Sequence, residues 1–93
     1  MTDFEKAKKQ LMYLLERYKN RLQKVYIDDT FELVYYGEYS IALEKLCDSL
    51  TIERVPVSPK EFDLIVKLGI MLKANEKYWS SLGDQKQKPS IEN

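Results

Sequence analysis

Carboxylates and tyrosines are the side chains whose spacing in this chain suggests chemistry, and that chemistry is the recognition of cations. Glu44 and Asp48 stand four residues apart, so on a helix they project together from one face. Asp28, Asp29 and Glu32 precede them, Glu38 follows Gly37, and Tyr36 lies four residues after Glu32. A tyrosine among acids suits a docking surface, because it buries apolar area while keeping a polar tip. Opposite charge on a partner raises the association rate and helps to choose that partner. The candidate partner-binding residues are therefore Asp28, Asp29, Glu32, Tyr36, Glu38, Glu44 and Asp48, and the partner they suit is a basic protein.

The same inventory speaks against catalysis. The chain has no histidine, which removes the commonest general base and the commonest metal ligand together. No carboxylate accompanies a recognisable nucleophile or phosphate-binding loop. Asp28, Asp29 and Glu32 lack both the alternating oxygen ligands of a calcium loop and its central glycine. No catalytic residue, metal or cofactor is expected, and the chain does not read as an enzyme.

Net charge is zero but unevenly spread. Residues 1–24 hold seven basic groups against three acidic ones, residues 25–63 hold three against nine, and the last thirty hold five against three. Such asymmetry within one small domain is a functional signal. The alternative to an acidic docking face is a small helical nucleic-acid-binding or regulatory domain using the basic first helix. The neutral total and the lack of a helix-turn-helix pattern with a basic second helix weigh against nucleic acid. A third possibility is that acidic and basic halves pair between copies; a monomer or weak dimer is the expectation.

Ninety-three residues suffice for one core. No run nears the roughly 18 apolar residues that span a bilayer, and the first residues lack the form of a secretory signal. The lone Cys47 cannot form an internal disulfide. A reduced, cytoplasmic protein without membrane contact is expected.

The elements that must position these groups follow from periodicity. Thr2 and Glu5 fit a capping box, and apolar residues from Phe4 to Val25 recur at steps of three and four, predicting a long first helix over roughly 3–25. Asp28 or Asp29 is expected to cap a short second helix with Phe31, Val34 and Tyr35 inward, ending at Gly37 in a left-handed cap. Tyr39, Ala42, Leu43, Leu46 and Leu50 predict the inward face of a central helix over about 38–52, around which the others pack. Pro56 ends that segment. Ser58, Pro59 and Glu61 start a fourth helix whose wide apolar stripe places it near the middle of the domain. Gly69 inside it implies a neighbour in close approach. Asn75 suits a left-handed cap, and Tyr78, Trp79 and Leu82 close over the core in a last short helix. The expected fold is all-α, a compact bundle of four helices plus a short C-terminal fifth, with residues 1–83 as one domain and 84–93 as a flexible polar tail.

Two stretches also resemble a known family. G-E-Y-S-I-A-L-E-K-L-C-D-S-L at 37–50, P-V-S-P-K-E-F-D-L-I-V-K-L-G at 56–69, and the Y-W pair at 78–79 look like MafI-type immunity proteins and related small bacterial immunity proteins. The resemblance covers roughly residues 31–82 and leaves the basic first helix and the tail outside. It implies an inhibitor that binds and neutralises the C-terminal toxin domain of a secreted polymorphic toxin. Such toxins are often nucleases, whose phosphate-holding surfaces are basic. Glu38, Glu44 and Asp48 fall inside the matching stretch, Asp28 and Asp29 fall just before it, and Lys45 interrupts the acidic helix.

Overall fold

The structure of the protein, a computed structural model, describes residues 2–85. It contains α1 (Asp3–Tyr18), α2 (Lys24–Tyr35), α3 (Tyr39–Ile52), α4 (Pro59–Leu72) and the short α5 (Glu76–Ser80), then a 3₁₀ turn over Ser81–Gln85. The all-α bundle of four helices plus a short fifth is therefore what forms. Of the polar tail expected from residue 84, positions 86–93 lie outside the described residues, and the 3₁₀ turn carries helical geometry past Gly83.

The hub is α3, which packs against every other helix and against the 3₁₀ turn. Ala42, Leu43, Leu46, Cys47 and Leu50 have no exposed surface there. Each large apolar side chain so buried contributes about 1.5–3 kcal/mol. Leu11, Leu14, Leu15 and Tyr18 of α1 meet them, as do Ile65 and Leu68 of α4 and Leu82 beyond α5. The placement of α4 near the middle is corrected: α3 holds that position, and Ile70 of α4 is left 66% exposed. Cys47 sits deep in the core, where burial, and then the charges of Glu44 and Asp48, push its thiol up to about 12. A disulfide reagent at pH 8 should modify Cys47 at least about 10³-fold more slowly in the folded than in the unfolded protein. Similar rates in the two states would mean that the core opens readily around α3.

Helix starts follow local chemistry closely. Thr2 with Glu5, and Ser58 with Glu61, both complete reciprocal capping boxes. The long first helix, by contrast, is two helices. α1 stops at Tyr18, whose carbonyl accepts from the amides of Arg21 and Leu22, and α2 begins at Lys24. No glycine or proline marks this break. Its cause is tertiary: Glu53, at the end of α3, accepts from the Gln23 amide at 2.9 Å and from the Gln23 side chain at 2.8 Å. Those two bonds hold the Glu53 carboxyl below its ordinary range. Asp28 and Asp29 are consequently interior residues of α2 and cap nothing. The inward face of α2 is Thr30 and Val34, with Ile27 and Leu33 half-buried, while Phe31 and Tyr35 point out. Phe4 and Val25, expected in the apolar stripe of the first helix, are exposed as well.

Candidate functional site

The candidate acids are placed by the α2–α3 hairpin. α2 ends in a Schellman motif: the Gly37 amide donates to the Val34 carbonyl at 3.0 Å and the Glu38 amide to Leu33 at 2.9 Å, with Gly37 at φ +77°. A residue with a β-carbon would be strained at that angle. The turn brings α3 back along α2. Asp29, Glu32, Leu33 and Tyr36 then follow steps of three and four on one helix, and Ile41, Glu44, Lys45 and Asp48 do so on the other, making adjacent stripes.

Two adjoining hollows lie along these stripes. The larger, of about 530 Å³, is lined by Asp29, Glu32, Leu33, Tyr36, Glu38 and Lys45. The smaller, of about 210 Å³, is lined by Leu33, Ile41, Glu44, Lys45, Asp48 and Tyr78. Leu33 and Lys45 belong to both and form the wall between them. Six of the seven candidate residues thus meet on one side of the molecule. Asp28 is not among them; it lies on the outer side of α2, paired with Lys24 at 2.6 Å.

The acids differ in how committed they are. Glu44 accepts from the Asn75 amide at 2.8 Å and so tethers the start of α5 to α3. Asp29 faces Lys45 at 3.9 Å, a loose pair between partly exposed groups. Glu32, Glu38 and Asp48 make no hydrogen bond or ion pair through their side chains among the described residues. These three are the carboxylates left for a partner. Tyr36 is 68% exposed, and its ring meets that of the equally outward Tyr35 edge-on, centroids 5.2 Å apart. Sequence reasoning followed charge, noting Lys45 as an interruption of the acidic helix, and passed over Leu33, Ile41 and Tyr78 as parts of the site. The signal for Ile41 was its place three residues before Glu44, on the acidic face and away from the inward positions of α3.

A second cluster lies across the bundle, where α1 meets α4. The Glu61 carboxylate is 2% exposed. It accepts from Arg17 Nε at 2.7 Å, the Tyr18 hydroxyl at 2.8 Å, Arg21 Nη2 at 2.9 Å and the Ser58 amide at 3.0 Å. Arg21 also lies over the Tyr18 ring, 4.5 Å from its centroid. Burial works to raise the Glu61 pKa, but the Ser58 amide, Arg17, Tyr18 and Arg21 together outweigh it and carry it down to about 2. Burial, and then the carboxylate, push the Tyr18 hydroxyl far above its ordinary range, and the bond to Glu61 raises the Arg17 guanidinium likewise.

This cluster changes the reading of the basic first segment. Of its seven cations, Arg17 and Arg21 are held by Glu61, Lys19 by Glu16 and Lys24 by Asp28. Lys6, Lys8 and Lys9 are left without an ion pair among the described residues, a sparse footprint for nucleic acid. Among the described residues no group of three or more cysteines, aspartates or glutamates could hold a metal ion, and no helix is long and apolar enough to cross a membrane. Comparisons with protein-family models, with curated proteins and with solved structures returned no match.

Proposed function

We propose that the protein is a non-enzymatic inhibitor that captures a basic protein on the acidic, aromatic face of its α2–α3 hairpin. The observation that carries the reading is the meeting of Glu32, Glu38 and Asp48, all without internal partners, around two hollows with apolar floors and an exposed tyrosine beside them. Uncompensated carboxylates over apolar floors steer a cationic surface in and then exclude water from it. The likeness of residues 37–50 and 56–69 to MafI-type immunity proteins supports the same class and supplies the partner: the C-terminal domain of a secreted polymorphic toxin. A nuclease is the kind of domain whose substrate-holding surface has the required charge.

The test is reversal of two carboxylates that hold nothing inside the molecule. Glu32→Lys with Asp48→Lys is chosen because Glu44→Lys would also cut the tether to Asn75. The toxin domain encoded in the neighbouring reading frame should be bound and its toxicity suppressed by the wild type. The double reversal should slow association by about 10–100-fold at low salt, with the difference narrowing as salt is raised. An unchanged association rate together with unchanged protection would place the docking face elsewhere.

A further inference from the structure

The acidic face does not end at the α2–α3 hairpin. A third hollow, of about 370 Å³, opens where the start of α1, the α2–α3 turn and the end of α4 come together. Its apolar side is Phe4, Tyr39, Met71 and Leu72, and its rim includes Asp3 and Glu38. Phe4 is 68% exposed, and its ring stands over that of Tyr39 with centroids 6.1 Å apart. Phe4 and Tyr39 thus give this hollow an aromatic edge that is still open to solvent, the kind of surface a partner's side chain can cover.

Glu38 lines this hollow and the larger of the other two, just as Leu33 and Lys45 line both hollows of the hairpin. The three therefore form one track with shared walls, from Phe4 past Tyr36 to Ile41 and Tyr78. Along it the rim carries Asp3, Asp29, Glu32, Glu38, Glu44 and Asp48 against Lys45 and Lys73. We infer that this track holds a linear, basic segment of the partner, with arginine or lysine side chains on the acidic rims and apolar side chains between them in the hollows. The inference rests on the inhibitor reading above and adds to it the shape of what is bound. A rounded surface would seat in one hollow, whereas a strand or loop follows three in succession. Lys45 stands on the wall between the two hollows of the α2–α3 hairpin, so the segment places its cations to either side of that wall and not upon it.

The probe is a synthetic twelve-residue peptide of arginine and leucine separated by serines, with a control carrying glutamate in place of arginine. Binding is followed by amide chemical shifts of the isotope-labelled protein and by peptide anisotropy. The arginine peptide should shift signals in all three hollows, and the glutamate control none. Phe4→Ser and Ile41→Ser, exposed positions at opposite ends of the track, should each weaken the peptide by about tenfold, as loss of an interface aromatic or aliphatic anchor does. Their unchanged thermal midpoints would show that the fold is intact. If the peptide binds and only Glu32→Lys with Asp48→Lys weakens it, the track is overturned while the acidic docking face stands. Absence of any shift at millimolar peptide also overturns the track, and the toxin-domain experiment then decides the inhibitor reading independently.

Discussion

Glu61→Ala should cost about 4 kcal/mol and lower the thermal midpoint by about 20 °C, a large share of the stability of a domain this size. The reasoning starts from a carboxylate with 2% of its surface exposed that accepts four hydrogen bonds from three segments of chain. Removing it leaves the Tyr18 hydroxyl, which has no exposed surface, without its acceptor and leaves the Ser58 amide uncapped. It also leaves two guanidinium groups beside a new void. Breaking a buried pair by removing one partner costs about 3–5 kcal/mol, because the remaining polar groups stay desolvated. Arg17 and Arg21 are 45% and 37% exposed and can return to water, which keeps the effect from the top of that range. Glu61→Gln tests the charge separately: its oxygen can still accept from Tyr18, but its amide group meets the arginine donors head-on. A loss below about 1 kcal/mol for Glu61→Ala in urea unfolding would show that this network does not join α1 to α4.

The same carboxylate sets an acid limit. In the unfolded chain Glu61 titrates near its ordinary value of 4.5, and in the fold at about 2. The unfolded chain thus binds the proton more readily, and stability falls as pH falls. The contribution is complete above about pH 5 and is lost progressively towards pH 2, amounting to about 3 kcal/mol across that window. Stability of the wild type should therefore fall more steeply with acid than that of Glu61→Gln, the two curves converging at the acid end. Parallel curves would mean that the arginines do not act on this group.

The helix starts at Thr2 and Ser58 were legible in the sequence because every participant lies within three residues. So was the inward face of α3, because one face of one helix meets neighbours on all sides. The break between α1 and α2 was not legible. Gln23 has no local cap, and the carboxylate that holds it comes from Glu53, thirty positions later. Helix ends misled for a related reason. Three helices close with the same pattern of bonds and a left-handed residue, but only one of these residues is a glycine: Gly37, Arg54 and Lys73 have φ of +77°, +51° and +56°. Lys73 takes the position expected of Asn75, which instead accepts from the Lys77 amide to start α5. A basic residue in that conformation leaves no mark in composition. At the site, charge found five residues of the α2–α3 face, and the place of Tyr36 four residues after Glu32 found the sixth. The apolar floor between them was missed because charge patterning does not register Leu33, half-buried against the core, or Ile41, exposed on α3. Glu61 was read as a cap, and it is one; its second role depends on the approach of α1.

Gly69→Ala should change sign with the residue at 79. A β-carbon at position 69 would lie 2.8 Å from both Cδ1 and Cε2 of Trp79, closer than carbon atoms approach, with the indole nitrogen nearer still. That nitrogen is buried without a hydrogen-bond partner among the described residues, so the ring is held on α4 by packing alone. In the wild type the indole must slide off the helix. The overpacking penalty of about 1–3 kcal/mol then exceeds the gain of up to about 1 kcal/mol that alanine brings to a helix interior, for a net loss of about 1–2 kcal/mol. In a Trp79→Ala background the obstruction is gone and only the helix preference remains. There the same substitution should stabilise by up to about 1 kcal/mol, giving a coupling of about 2–3 kcal/mol in a double-mutant cycle read by urea unfolding. Equal losses in both backgrounds would mean that something other than the indole excludes a side chain at 69. A reversed sign would show that a glycine costly to α4 is retained because it lets the aromatic lid of α5 lie directly on its backbone, which closes the core over α3 and α4.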